Sequence, residues 1–209
     1  MRSGIWALLT LCILSTTGYG QIGIQLGWNT TGYKYTLSGT TEERGLNFGL
    51  NAGLVYRSKG KKLCVQPELL YTQKGATNNN DGANYVSNVL EFKNKLDYME
   101  FALPIIFKIP IFDAGSFDLG AGPYVSKLLS ADCKIKDLNG GSRTTPFKIG
   151  TDSTDDFKPI DAGIVFYSAI KVRHFYMSLC YEKGLSDIAP ANNLVIKNGC
   201  FNFNLGILF

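Results

Sequence analysis

From residue 21 onward, apolar and polar residues alternate with a period of two, which is the mark of strands with one greasy and one polar face. The pattern predicts eight strands, at residues 22–29, 46–57, 63–72, 98–108, 117–126, 158–172, 175–182 and 200–209. In the first, Ile22, Ile24, Leu26 and Trp28 alternate with Gly23, Gln25, Gly27 and Asn29. In the last, Phe201, Phe203, Leu205, Ile207 and Phe209 alternate with Cys200, Asn202, Asn204, Gly206 and Leu208. The connections alternate long and short along the chain.

A soluble antiparallel sheet also alternates, with its polar face in water. Here the polar faces are rich in Gly, Asn, Gln, Ser and Tyr rather than Lys and Glu, which suits a crowded lumen. The apolar faces end in aromatics. Trp28, Tyr71 and Tyr181 lie toward one rim, and Tyr56, Phe107, Phe117, Phe175 and Phe209 toward the other. Such girdles mark the two interfaces of a transmembrane β-barrel, whose short turns lie in the periplasm and whose long loops face outward. The expected fold is therefore an all-β, eight-stranded, antiparallel up-and-down barrel with both termini periplasmic. A lipocalin-like or sandwich domain is the alternative.

The first twenty residues read as a secretory signal: Arg2 is the basic start, residues 5–14 are the apolar run, and Gly18 and Gly20 supply the small residues before cleavage. The apolar run is too short to span a bilayer. The expected mature chain is residues 21–209, one outer-membrane domain. Charged residues make up 18% and the formal charge is +4, a scattered excess with no nucleic-acid footprint.

Eight strands close around an interior that side chains fill, so an open diffusion pore is not expected. Arg57, Lys74, Lys108 and Lys171 face inward and are roughly balanced by Glu68, Glu100, Asp161 and Glu182. Buried charges persist when paired and hydrogen-bonded, so these eight predict a structural network, with an ion pathway or a catalytic carboxylate pair as the alternatives. Cys180 and Cys200 are inward and equidistant from residue 190. Regular pairing would place them opposite each other, with Cβ atoms about 4.5–5.5 Å apart, which predicts a disulfide in an oxidising compartment. A one-residue bulge would leave two free thiols instead.

Five strings, "GIQLGWN" (23–29), "PELLYTQKG" (67–75), "GAGPYVSKLLSA" (120–131), "DAGIVFYSAIKV" (161–172) and "YEKGLSDI" (181–188), resemble the PorT-like family of outer-membrane β-barrels. The likeness runs through the whole expected mature chain. It implies the same barrel and, from the family's name, an accessory role in a protein-secretion or uptake machine. One departure is that Pro104 follows Tyr98 by six residues, where the family tends to four. By resemblance to other barrels of this membrane, the terminal pattern Phe201, Phe203, Leu205, Ile207, Phe209 is the address read by barrel-assembly machinery.

Candidate chemistry is sparse. The one histidine, His174, falls in a short turn at the end opposite the long loops, where no Ser–His–Asp arrangement can form. The cysteines lack zinc spacing and the Gly-rich strings sit on strands, so no cofactor or metal is expected. The run Asp152 to Asp156 offers hard oxygens for Ca²⁺, against a solvated loop. Three functions are open: a non-enzymatic binding or structural barrel whose outer loops, chiefly residues 134–157, meet surface partners; an accessory machine subunit; and a lipid-directed enzyme.

Overall fold

The computed structural model describes residues 20–37, 40–79, 89–112, 115–137, 139–191 and 194–209. The expected signal peptide, apart from Gly20, lies outside the described residues. Eleven strands are present: β1 Gln21–Leu37, β2 Thr40–Arg57, β3 Leu63–Val65, β4 Glu68–Asn79, β5 Val89–Ala102, β6 Ile105–Phe112, β7 Gly115–Asp137, β8 Ser142–Pro146, β9 Ile160–Val172, β10 Phe175–Gly184 and β11 Leu194–Leu208.

Eight of these close a ring, β1–β2–β4–β5–β7–β9–β10–β11 and back to β1, with every pairing antiparallel. The short β3 and β6 continue the third and fourth staves and pair with each other, while β8 pairs with the far end of β7. The third and fourth staves break at Pro67 and Pro104 because proline has no N–H for the ladder. Their carbonyls still accept, from Tyr56 N at 2.9 Å and Gln66 N at 3.0 Å, so the wall stays closed across the break.

The register fixes the shape. Gly23 pairs with Val55, then the path runs through Glu68, Ala102, Tyr124, Gly163 and Gly184. Gly184 abuts Asn198, which pairs with Tyr33, ten residues along β1 from the start. A stagger of that size tilts eight strands by roughly 35–45° and leaves an interior that side chains can fill.

The wall has the expected two faces. Outward residues form an apolar belt: Ile22, Ile24, Leu26 and Trp28 on β1 and Phe201, Leu205 and Phe209 at the chain end are all exposed, Ile22 by 63%. Trp28 stacks on Phe203 at 4.6 Å and Phe166 on Tyr181 at 6.4 Å along the rim nearer the loops. Among the described residues no helix is long and apolar enough to cross a membrane. The crossing is made by strands.

One expectation changes. Much of what the hydropathy pattern leaves as loop is strand: β1 reaches Leu37, β2 begins at Thr40 and β7 runs on to Asp137. Strands of 17, 18 and 23 residues far exceed the 9–11 residues that cross a bilayer. Beyond the belt neither face meets acyl chains, so the greasy face disappears while the backbone ladder continues.

Candidate functional site

The lumen is filled in layers. At the end where the described residues begin and end, at Gly20 and Phe209, Val55, Tyr176 and Leu208 pack together as a buried apolar floor. His174 closes that floor: its Nδ1 donates to the Leu208 carbonyl at 2.9 Å and its own carbonyl accepts from Leu208 N at 2.8 Å. A ring so occupied is a latch on the last strand, and the two-residue turn that positions it holds Arg173 at φ 53°.

Above the floor lies a layer centred on Arg57, the last residue of β2. Its guanidinium donates to Gln66 Oε1 at 2.5 Å, Asp118 Oδ2 at 2.6 Å and the Tyr167 hydroxyl at 3.0 Å. Glu68 is held by two amides, Gln66 Nε2 at 2.6 Å and Gln25 Nε2 at 3.2 Å. Tyr176 in turn donates to Gln25 Oε1 at 2.8 Å.

Nearer the loops, Lys74 occupies the second layer. Its Nζ donates to Glu100 at 2.7 Å and lies 2.7 Å from Glu182 and 3.9 Å from Asp161. The rings of Tyr124 and Tyr98 flank it at 4.6 and 5.6 Å. Lys74 is 0% exposed. The carboxylates around it are engaged by neutral donors too: Ser126 to Glu100, Asn202 to Glu182, and Tyr124, Ser186 and Asn198 to Asp161.

The expected charge set is thus only partly brought together. Arg57, Glu68, Glu100, Asp161 and Glu182 lie in these layers, but Lys108 and Lys171 do not. Lys108, in the middle of β6, and Lys171, next to the end of β9, instead donate to turn carbonyls, Gly60 O and Arg173 O. Asp118 takes the place they were given. It was missed although its position on β7 between the outward Phe117 and Leu119 makes it inward by parity. Within these two layers the buried charge is therefore unbalanced among the described residues, with Arg57 and Lys74 facing Glu68, Glu100, Asp118, Asp161 and Glu182, while Asp97, also buried, pairs with the exposed Lys95 at 3.0 Å.

The cysteine register differs as well. Cys180 pairs with Asn202 and Cys200 with Glu182, so the two are diagonal rather than opposite. Both thiols are free and buried. The hairpin is centred one residue beyond position 190, which moves the partners apart by two.

The loop end is sealed by an apolar cap. Tyr33, Leu96, Tyr98, Leu128 and Ile196 of the wall pack with Phe157 and Ile188, and Ile188 is 0% exposed. Two loop segments deliver the cap. Ile188 is pinned by Lys158 N to its carbonyl at 2.8 Å and by its own N–H to Ile196 O at 2.9 Å. The neighbouring Asp187 accepts from Ala189 N at 3.0 Å, Ile196 N at 2.9 Å and Lys158 Nζ at 3.1 Å. Burial alone would raise the Asp187 carboxyl, but those two amides and the ammonium hold it below its ordinary value.

The acidic run folds its own loop. Asp155 accepts from Asp152 N at 2.9 Å and Asp156 from Lys148 N at 2.8 Å. Among the described residues no three of His, Cys, Asp or Glu converge to hold a metal ion.

A closed ring with an apolar exterior and a filled polar interior defines an integral β-barrel of the outer membrane. The family model described as "Outer membrane protein beta-barrel domain" matches residues 15–189, and the chain belongs to that family. No curated protein matches significantly. Among solved structures, the chain is similar in form to Ail, the attachment invasion locus protein of Yersinia pestis, solved with the heparin analogue sucrose octasulfate. Identity is 14%, the TM-score 0.43, and 91% of this chain and 99% of that chain are covered. Neisserial surface protein A is similar at 11% identity and a TM-score of 0.48, over 90% of this chain and 97% of that one.

Proposed function

We propose that this chain is a non-enzymatic binding or structural barrel of the cell surface, closed to diffusion, of the PorT-like kind. Residues 1–20 are its signal peptide, cleaved near Gly20, and residues 21–209 are the mature domain. The termini are periplasmic and the loop end faces outward. The observation that carries the closed-barrel reading is the continuous filling of the lumen, from the Val55–Tyr176–Leu208 floor through the Arg57 and Lys74 layers to the Phe157–Ile188 cap. A lumen so packed has no path for solutes, and its ionisable groups are committed to one another. That leaves the extended strands and the 139–159 loop as the surface offered to partners.

The five strings that resemble the PorT-like family favour a second reading, an accessory subunit of a secretion or uptake machine. Pull-down of the chain from native membranes in mild detergent separates the two. A solitary barrel brings down no stoichiometric protein; a stable partner at equal amounts establishes the machine subunit instead. Orientation is read from Asp152→Cys on intact cells, which a membrane-impermeant maleimide labels if the loop end faces outward and leaves untouched if it does not.

A further inference from the structure

Toward the loop end, β5 and β7 run on past the apolar belt, and their outer face carries a ladder of charge. The register pairs Glu91 with Lys136, Lys93 with Lys134 and Lys95 with Asp132. Leu96, Ala131 and Cys133 are buried inside the wall, so the alternation along each strand turns Lys95, Asp132 and Lys134 outward.

The three rungs are not alike. Lys136 is paired to Glu91 at 2.6 Å. Lys95 is paired to Asp97 at 3.0 Å, with Asp132 across from it. The middle rung sets two lysines directly opposite each other, which is destabilising in a sheet. Neither Lys93 nor Lys134 has a hydrogen bond or an ion pair among the described residues. Around this rung lies a crevice of about 370 Å³, bordered by Thr144 of β8, in which four lysines face the two carboxylates Glu91 and Asp132.

The crevice lies just beyond the belt. Leu129, bulged between the Asp97–Ser130 and Tyr98–Leu128 pairs, is the last large apolar side chain on the outer face of β7, and Met99 and Phe101 are exposed beside it on β5. Lys134 follows Leu129 by five positions. A strand rising about 3.3 Å per residue and tilted by roughly 40° carries its Cα about 13 Å past the belt. A lysine stem folded back toward the apolar surface brings the ammonium several ångströms lower, to the headgroup layer, which is roughly 5–8 Å deep on each side of the hydrocarbon.

We propose that this crevice binds the headgroup of an anionic lipid, with its phosphate between Lys93 and Lys134. The phosphate accepts hydrogen bonds from both ammoniums and so removes their repulsion. The acyl chains lie down the wall over Leu129, Met99 and Phe101. A lipid is preferred to a soluble anion because the crevice is continuous with that apolar face, so chains seated there hold the phosphate at the lysines. The inference rests on the barrel crossing a bilayer and not on which side the loop end faces.

The test uses the full mature chain in a neutral detergent, given equal amounts of phosphatidylglycerol or phosphatidylcholine with the same chains and weighed intact by native mass spectrometry. Wild type is expected to keep one phosphatidylglycerol, in preference to phosphatidylcholine by roughly tenfold or more. Lys93→Gln with Lys134→Gln should bring the preference down to near unity, while Lys61→Gln with Lys62→Gln, in the turn at the opposite end, should leave it unchanged. Glycerol phosphate, which has the headgroup and no chains, should displace the lipid only at roughly a hundredfold excess or more. Equal retention of the two lipids by wild type, or an undiminished preference in a Lys93/Lys134 variant that keeps the compact unboiled gel band, overturns the proposal. Displacement by an equal concentration of glycerol phosphate does so too, since it makes the crevice a site for soluble anions. The wild-type arms need no variant.

Discussion

The Lys74 ammonium and the Glu100 carboxylate, on neighbouring strands β4 and β5, lie 2.7 Å apart with both side chains almost wholly out of water. Glu182 and Asp161 crowd the same ammonium, so among the described residues Lys74 is the single cation that makes this layer tolerable. Lys74→Met leaves three carboxylates facing one another. Breaking a buried pair in this way costs about 3–5 kcal/mol. The loss should appear as a lower denaturant midpoint for the compact, unboiled gel band. Adding Glu100→Gln and Glu182→Gln should restore most of it, and a neutral Lys74→Met would show that the layer does not hold the barrel together.

Gly206 is required where Tyr176 crosses it. A Cβ there would stand 2.2 Å from the tyrosine ring, and the ring cannot swing aside while its hydroxyl holds Gln25. Gly206→Ala should destabilise by about 1–3 kcal/mol, the usual cost of overpacking. In a double-mutant cycle with Tyr176→Ala the penalty should largely vanish. Equal penalties in both backgrounds would place the strain elsewhere.

Asp187 makes the cap sensitive to acid. Its value is held below the ordinary 3.8, so its contribution is fully present above 3.8 and is lost as pH falls through the lowered value. Amide proton shifts of Ala189 and Ile196 should stay constant on acidification until below 3.8 and then move together. Asp187→Asn should abolish that transition. A wild-type midpoint at or above 3.8 contradicts the bracing role.

The terminal pattern is proposed as an assembly address. Phe209 donates its backbone N–H to Ile22 O at 2.7 Å, while its side chain is exposed, so the ring adds little to internal packing. Deleting Phe209 should lower the amount of barrel in the outer membrane. Undiminished levels would mean that Phe201, Phe203, Leu205, Ile207 and Phe209 serve only as lipid-facing packing.

The barrel was legible because lipid outside and polar filling inside impose period two on every span, as Ile22 to Asn29 and Phe201 to Phe209 show. Strand length was not legible, since β1 beyond Thr30 and β7 beyond Leu129 carry no greasy face once past the belt. Parity alone identified Arg57, Glu68, Glu100, Asp161 and Glu182 as inward, and the same rule applied to β7 would have found Asp118. Which inward groups meet depends on the stagger around the ring, and that is why Lys108 and Lys171 were grouped with a network they do not touch. The cap was hidden for a different reason. Phe157 and Ile188 are isolated apolar residues in polar loops, and a loop that folds back into a lumen leaves no period to read. The hairpin centre lies one residue from where regular pairing puts it, which sets Cys180 and Cys200 diagonal rather than opposite.

The closed lumen is tested most directly by electrical recording of the purified chain in planar lipid bilayers. Eight strands leave room only for the side chains that occupy it. Insertion of the wild-type barrel should therefore leave the membrane current at its baseline across the voltage range. Sustained, ohmic single-channel steps from the same preparation would contradict the filled lumen and with it the reading of this protein as a closed binding barrel.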